Sequence, residues 1–401
     1  MRSILFLLII AFPVLLMSAC QSGVSREAGH HPGREAEAEE AFYHIPTRKE
    51  KRSILNADDT KEMVRGLDDF FDHKLGRNFN GAMLVARKGV VIFEKYKGYG
   101  DFSRKSPVNS HTTFQLASTS KPFTAMGILW LQEQGKLKIT DSVQKYFPGF
   151  AYPGVTLKTL LNHRSGLPNY LYFSDDLWKD RSRLMTNQDV VDLMVKHHPR
   201  RQYPPDTHFS YCNTNYIILA AIIEQVSGKS LGAFLKATFF DPLGMKDTYV
   251  YNPNTDPLNP MQSLSYDYRA VPIANECFDG VVGDKNVYST VNDLLKWDQA
   301  LYGGKLFSDA TLEAAFTPYS NEHPGIRNYG LGWRLLVYPD SLKMVYHNGW
   351  WHGNTSVFYR FIKDSTTLII LSNRYNKLVY QVKPLWDILH EGEGAAYAGD
   401  D

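Results

Sequence analysis

Ser118 and Lys121 are the first residues in this sequence whose types and spacing could carry out covalent chemistry. They stand at the start of a predicted helix, where residues three positions apart share one face. A serine hydroxyl becomes an effective nucleophile when a neighbour takes its proton, and a lysine can take it when burial or nearby positive charge lowers its pKa. The N–H groups that a helix start leaves unpaired would stabilise the oxyanion formed when a carbonyl is attacked. The alternative is an ordinary serine-rich helix cap beside a solvated lysine.

A second candidate pair, Tyr211 and Asn213, follows about 90 residues later, just before an apolar helix predicted near Ile217. A phenol can carry a proton between groups, and a carboxamide can bind both an ammonium and a substrate carbonyl. Taken separately, a half-buried structural tyrosine and a helix cap explain the two residues better. Their occurrence after the Ser-x-x-Lys stretch favours catalytic roles.

The third candidate is an aromatic stretch containing His347, Gly349 and Trp350, which ends one predicted strand and turns towards the next. A glycine two residues after the histidine lets a substrate backbone approach the strand edge closely. The N–H group of the following residue can then serve as an oxyanion donor. The alternative is a hairpin loop with exposed aromatic side chains.

The elements that must position these residues fall into two groups. Apolar residues on one face predict a helix over residues 59–75, and apolar runs predict strands near both ends of the chain. The strands are Gly81–Arg87, Val90–Tyr96, Met344–His347, Thr355–Ile362 and Thr366–Leu371. An isolated hairpin is marginally stable, so the early and late strands are expected to form one antiparallel sheet. The middle, from Ser118 to about Leu301, is expected to be an inserted helical lobe, which makes the fold α+β.

The N-terminus carries an export signal. One positive charge and an apolar run in residues 1–19 are typical of a secretory signal peptide and are too short for a membrane-spanning helix. The small residues before Cys20 resemble a bacterial lipobox and predict lipidation of that cysteine, although a plain signal peptide is the alternative. Residues 20–56 are expected to form a flexible tether, residues 57–392 the folded domain and residues 393–401 a disordered tail.

Composition excludes several kinds of partner. The 44 basic and 42 acidic residues are interspersed and give a net charge of +2, which offers no case for nucleic acid binding. His347 and His352 have no carboxylate between them, so no metal site is predicted, and no cofactor motif is present. Cys212 and Cys277 could pair in an oxidising compartment, but two buried free thiols are the expectation. The sequence leaves the oligomeric state open.

Further motifs accompany the three candidate sites in chain order: Leu160–Pro168 (LLNHRSGLP), Phe240–Met245 (FDPLGM), Tyr288–Thr290 (YST) and Gly330–Trp333 (GLGW). From about Gly81 to Asn373 the chain resembles the serine beta-lactamase and penicillin-binding-protein superfamily. The resemblance is to its class C-like branch, which holds esterases, D-amino-acid peptidases and DD-carboxypeptidases. It implies a beta-lactamase/transpeptidase-like antiparallel sheet flanked by helices, an all-helical lobe, and an active site between them.

The resemblance also implies roles for the candidate residues. Ser118 would be the acylated nucleophile, Lys121 its partner, and Tyr211 the general base and acid. Asn213, His347 and Gly349 would bind and orient the substrate, and the N–H groups of Ser118 and Trp350 would form the oxyanion hole.

His347 stands where many relatives carry lysine, which bears on the substrate. A histidine of ordinary pKa is mostly neutral at pH 7, so attraction for a substrate carboxylate is weak unless Arg164 or Arg327 reaches the site. Trp350 and Trp351 offer apolar surface instead. The expectation is therefore hydrolysis of short activated esters, with slow or absent beta-lactam turnover. The next alternative is a DD-carboxypeptidase or D-aminopeptidase that acts on cell-wall peptides.

Two other interpretations are weaker. An alpha/beta-hydrolase would need Gly-x-Ser-x-Gly around its nucleophile, and Ser118 lacks it. A non-catalytic cell-wall-binding module could use the same fold, because fold alone does not fix function. Such a module would be expected to have lost Ser118, Lys121 or Tyr211, and all three are present.

Overall fold

Strands from the two ends of the chain pair in one antiparallel sheet, as the apolar runs predict. The computed structural model describes residues 42–339 and 342–390. The strands are β1 (Gly81–Arg87), β2 (Val90–Lys97), β3 (Tyr99–Asp101), β4 (Ser106–Pro107), β5 (Phe114–Gln115), β6 (Tyr249–Val250), β7 (Val287–Ser289), β8 (Arg327–Tyr329), β9 (Arg334–Val337), β10 (Lys343–Trp351), β11 (Asn354–Phe361) and β12 (Thr366–Ser372). The main sheet has the order β2-β1-β12-β11-β10-β9-β8. The pairing of β1 with β12 joins the two ends of the domain.

Both faces of this sheet are covered, which explains why its central strands are apolar almost throughout. Side chains alternate between faces along a strand. Leu84 of β1 and Ile369 of β12 pack towards the larger core under the helical lobe. Met83 and Ile370, one position along, pack into a second core on the opposite face. The expected α+β fold is confirmed.

Eleven α-helices lie within the described residues. They are α1 (Arg48–Asn56), α2 (Asp58–Asp69), α3 (Lys121–Glu133), α4 (Leu157–Leu161), α5 (Tyr170–Leu177), α6 (Asn187–His197), α7 (Asn213–Ser227), α8 (Leu231–Leu235), α9 (Val291–Ala300), α10 (Asp309–Ala315) and α11 (Lys383–Leu389). Helix α2 continues as a π-helical turn over Phe70–Lys74, so the predicted first helix is present in two parts.

The inserted lobe is less uniformly helical than expected. Helices α3 to α8 fill its first half, but β5, β7 and β6 form a small three-stranded sheet at its base. A long stretch without helix follows β6, from Tyr251 to Glu276. The apolar helix predicted at Ile217 begins four residues earlier, at Asn213, and its central turns are fully buried.

The predicted tether needs a correction at its C-terminal end. Residues 48–56 form α1 because Thr47 and Glu50 make a complete capping box and Ile54 packs against the second core. Composition alone did not show these local bonds. The predicted signal peptide, Cys20 and the tail over residues 393–401 lie outside the described residues.

Within the described chain, no single helix is long and apolar enough to cross a membrane. The bent pair Asn213–Ser227 and Leu231–Phe240, with 72° between its axes, meets the length and composition criteria when taken together.

Candidate active site

The structure brings Ser118 and Lys121 together as the spacing predicts. A short 3-10 turn over Ala117–Ser120 runs directly into α3, whose first residue is Lys121. Ala117 has a φ of 47°, a conformation that costs energy for a residue with a side chain and turns the chain sharply before the serine. Lys121 Nζ then lies 2.9 Å from Ser118 Oγ, and the lysine is fully buried.

The loop that contains Asp284 holds the Lys121 side chain in place. Lys121 Nζ donates to the carbonyl oxygen of Asp284 at 3.0 Å. The Nζ atom also lies 5.0 Å from the centre of the Tyr211 ring and 5.7 Å from that of Tyr216. These contacts place the predicted nucleophile, lysine and tyrosine in one small volume.

Asn213 is the first residue of α7 and faces the same space. Its Oδ1 atom is buried and has no hydrogen-bond partner among the described residues. The residue before it, Cys212, makes no side-chain cap, so Asn213 is not held as an ordinary helix cap. A buried acceptor without a partner is rare in native structures and fits an atom that awaits a ligand.

His347 is placed beneath the site rather than in it. The ring is fully buried, with Nδ1 2.8 Å from the carbonyl oxygen of Asn348 and Nε2 3.2 Å from Tyr329 Oη. Burial, together with the positive charges of Arg334 and Lys121, lowers the pKa of His347 well below its usual value. The imidazole is therefore neutral, as expected, and both of its nitrogens are occupied.

Gly349 brings β10 close to the turn over Ala117–Ser120, which carries Ser118 and is called the nucleophile turn. A methyl group added at this glycine would lie 2.9 Å from Ser118 N and 2.2 Å from Leu116 O. The absence of a side chain thus permits β10 to approach the turn that carries Ser118, while the predicted close approach of a substrate backbone stays a prediction. Trp350 follows with 60% of its surface exposed, and Trp351 is half-buried.

These residues line a pocket of about 600 Å³, the active-site pocket. Its walls include Ser118, Tyr211, Asn213, Gly349 and Trp350. One wall residue that the sequence analysis did not identify is Arg334, the first residue of β9.

Arg334 supplies the cation that His347 does not. Its Cζ atom lies 5.0 Å from the centre of the Tyr211 ring, and its Nε atom is buried without a hydrogen-bond partner. No described carboxylate forms an ion pair with it. Burial opposes the charge, but the phenol groups of Tyr211 and Tyr346 raise the pKa of Arg334, so the guanidinium stays charged. The sequence signal was present, because Arg334 directly follows the GLGW motif.

The two arginines considered from the sequence lie elsewhere. Arg164 Nε donates a hydrogen bond to Asp206 Oδ1 at 2.7 Å, and Arg164 also forms an ion pair with Glu322. Arg327 is exposed and does not line the active-site pocket. The expectation of a site without a fixed cation was therefore wrong, because the residue that reaches it comes from the start of a different strand.

A second lysine lies behind the pocket. Lys285 is buried, and its Nζ lies 2.7 Å from Tyr170 Oη, 3.5 Å from Asp284 Oδ1 and 4.6 Å from the centre of the Trp351 ring. Burial lowers its pKa, and the charge of Lys121 adds to the effect. The stretch Gly283–Asn286 thus supplies both the carbonyl group that accepts from Lys121 and the lysine that lies against Trp351.

Asp279 fixes the turn between β10 and β11. Its Oδ1 accepts from Trp351 Nε1 at 2.6 Å, and His352 Nε2 lies 3.0 Å from its Oδ2. Both contacts hold the segment that follows Trp350. Cys212 and Cys277 are free and buried, as expected.

Comparisons with known proteins agree with this geometry. The beta-lactamase family profile matches residues 67–390. Penicillin-binding protein 4* of Bacillus subtilis (strain 168) is 37% identical over 318 residues, which cover 76% of this chain and 70% of that protein. Teichoic acid D-alanine hydrolase of Staphylococcus aureus is 26% identical over 372 residues, with 88% and 85% covered.

A solved structure supports the fold alone. The penicillin-binding protein of Bacillus halodurans superposes with a TM-score of 0.69 at 24% identity, over 82% of this chain and 98% of that one. Together with the match over most of the folded domain, these similarities identify the chain as a member of the beta-lactamase family and a serine hydrolase.

Proposed function

We propose that this protein is an exported serine hydrolase that forms an acyl-enzyme on Ser118 and cleaves a D-alanyl peptide whose leaving residue carries a carboxylate. The observation that carries the substrate assignment is the charged Arg334, which has no carboxylate partner among the described residues and lies in the wall of the pocket that contains Ser118. The names of two relatives, a penicillin-binding protein and a teichoic acid D-alanine hydrolase, favour cell-wall substrates.

In the proposed reaction, Ser118 Oγ attacks the scissile carbonyl while its proton passes to the Lys121–Tyr211 pair. The N–H groups of Ser118 and Trp350 stabilise the oxyanion, and Asn213 orients the peptide. The C–N bond breaks when Tyr211 delivers the proton to the leaving nitrogen. Water then attacks the ester on Ser118, with the same pair taking its proton, and the free acid leaves.

Arg334 changes the expectation for beta-lactams. The prediction of slow or absent turnover assumed that no fixed cation stands near the third motif. A guanidinium in the pocket wall can hold the carboxylate of either a beta-lactam or a D-Ala-D-Ala terminus, since charge-assisted bonds to carboxylates are among the strongest in proteins. We therefore expect penicillin to acylate Ser118.

A short ester is the second candidate substrate. Trp350 exposes a broad apolar surface at the pocket rim, which suits the acyl or alcohol part of an ester. Such a substrate would gain nothing from Arg334. The two candidates therefore differ in their response to removal of this charge.

The test compares N-acetyl-D-Ala-D-Ala with its C-terminal amide. Arg334→Gln should lower kcat/KM for the acid by about 10- to 100-fold, the range for a hydrogen bond to a charged group, and leave the amide nearly unchanged. Arg269→Gln is the matched control because it removes an exposed arginine that does not line the pocket. Ser118→Ala should abolish both reactions. Equal losses on acid and amide would refute the assigned role of Arg334.

Export and membrane attachment belong to the same proposal. The lipobox-like sequence ending at Cys20 would place a lipid on the N-terminus of the mature chain. The domain would then act on cell-wall material outside the cytoplasm.

A further inference from the structure

A second cavity of about 690 Å³ adjoins the active-site pocket and shares Arg334 with it. We call it the adjoining cavity. It is lined by the segment over residues 320–329 together with Phe209, Arg334 and Tyr346. The mechanism proposed above does not use this cavity, although it is as large as the pocket that holds the nucleophile.

The wall of the adjoining cavity is held by specific bonds. Asn328 Oδ1 accepts from Ser320 N at 2.9 Å, and Asn328 Nδ2 donates to Ser320 O at 2.8 Å. Glu322 accepts from Phe209 N at 3.1 Å and pairs with Arg164. The two Asn328 bonds close the segment on itself, and Glu322 ties it to Phe209 and Arg164, so the cavity is largely formed before any ligand arrives.

Two buried polar atoms at the cavity have no partner among the described residues. They are Ser320 Oγ and Arg334 Nε, and both side chains line the cavity. Tyr329 and Tyr346 give the rest of the wall an aromatic character. This mixture suits a long side chain with an apolar stem and a polar end.

The cavity lies on the leaving-group side of the proposed reaction. Phe209 stands two residues before Tyr211, and Arg334 lies 5.0 Å from the Tyr211 ring. In the proposed mechanism Tyr211 protonates the leaving nitrogen. Trp351 and His352 line the active-site pocket but not the cavity. These two residues would then contact the acyl part of the substrate.

Charge narrows the choice of occupant. Glu322 is already paired with Arg164, whereas Arg334 has no described carboxylate partner. Arg327 lines the cavity as well as Arg334, so a free ammonium would enter beside two guanidinium groups, and a neutral chain is favoured. The methyl group of an alanine leaving residue would leave the cavity empty.

We propose that the adjoining cavity binds the long, uncharged side chain of the leaving residue while Arg334 holds the carboxylate of that residue. The preferred substrate is then a D-alanyl peptide whose leaving D-amino acid carries an acylated amine on its side chain. This inference rests on the proposed function. The bonds formed and broken are those of the acyl-enzyme reaction above, and the leaving nitrogen receives the proton from Tyr211.

The test compares two peptides, N-acetyl-D-Ala-D-Ala and N-acetyl-D-Ala-D-Lys whose side-chain amine is acetylated. Wild-type enzyme should prefer the lysine peptide by about tenfold or more in kcat/KM, as expected when several methylene groups enter a fitting pocket. His323→Trp adds bulk at the exposed rim of the cavity and should bring the ratio close to one. The same variant should hydrolyse p-nitrophenyl acetate at the wild-type rate, which also shows that it folds.

The outcomes separate the two proposals. A ratio near one in the wild type, or a ratio that His323→Trp leaves unchanged, would overturn the cavity assignment while leaving the proposed function in place. Hydrolysis of neither peptide by an enzyme that still cleaves p-nitrophenyl acetate would overturn the proposed function and this inference with it.

Discussion

Replacing Gly349 with alanine tests whether the strand edge beside Ser118 forms the oxyanion hole. The added methyl group would lie 2.2 Å from Leu116 O, 2.5 Å from Ser356 Oγ and 2.9 Å from Ser118 N. Ordinary contacts begin at about 3.4 Å. The first contact involves backbone and cannot be relieved by rotating a side chain, so β10 and the nucleophile turn must separate by about 1 Å.

A separation of that size acts directly on the proposed oxyanion donors. Ser118 N lies on one side of the new methyl group, and Trp350 N belongs to the next residue of β10. Losing one well-placed donor typically costs a factor of about 10² to 10³ in kcat, or about 3 to 4 kcal/mol of transition-state stabilisation. Overpacking should also destabilise the fold, by about 1 to 3 kcal/mol.

The assay must separate these two effects. Thermal unfolding followed by circular dichroism gives a temperature at which both proteins are folded, and acylation by penicillin and turnover of p-nitrophenyl acetate are then measured there. Gly100→Ala is the matched control, since its methyl group would meet its nearest neighbour, Thr112 Cγ2, at an ordinary 3.4 Å. Activity of folded Gly349→Ala within about threefold of wild type would refute the proposed oxyanion hole.

Three further predictions concern other parts of the chain. Lys121→Arg and Tyr211→Phe should each slow acylation by about two to four orders of magnitude without unfolding, and unchanged rates in Tyr211→Phe would exclude it as the base. Cys20→Ser should move the protein from the membrane fraction to the soluble fraction, and unchanged partitioning would contradict lipidation. Burial raises the pKa of Asp279, but the bond to His352, the charge of His352 and the bonds from Glu276 N and Trp351 together outweigh it, and the pKa is lowered from 3.8. The contribution of this carboxylate to stability is therefore present above pH 3.8 and lost as the pH falls below it. The free energy of unfolding in urea should then decrease less on acidification in Asp279→Asn than in wild type.

Sequence patterns predicted the parts of this structure that depend on neighbours along the chain. The hairpin of β1 and β2 turns at Lys88 and Gly89, which both have positive φ, as the sequence indicates. The pattern Thr-x-x-Asp at Thr186 and Asp189 is typical of a capping box, and the two residues form one at the start of α6. Ser118 and Lys121 meet because three positions on a helical turn fix their distance whatever the rest of the fold does.

The missed residues reach the site from distant segments. Arg334 and Lys285 are ordinary charged residues in the sequence, and their importance comes from which strand end or loop lies beside Ser118. The GLGW motif directly before Arg334 was a signal for that position, whereas no periodicity or spacing marks Lys285. The family resemblance drew attention to His347, which is neutral and does not line the pocket, whereas Arg334 on the neighbouring strand does line it.

The arrangement of the three cations explains why the free charge lies where a substrate would bind. Lys121 is satisfied by Ser118 Oγ and the Asp284 carbonyl, and Lys285 by Tyr170 and the Asp284 carboxylate. Arg334 has no such partner among the described residues, and a half-buried cation without one is partly desolvated at a cost. An anionic group on the substrate would remove this cost. The same ion pair with Arg334 would then both bind the substrate and orient it beside Tyr211. A neutral substrate leaves the cost in place, and for that reason the enzyme should discriminate by charge before it discriminates by shape.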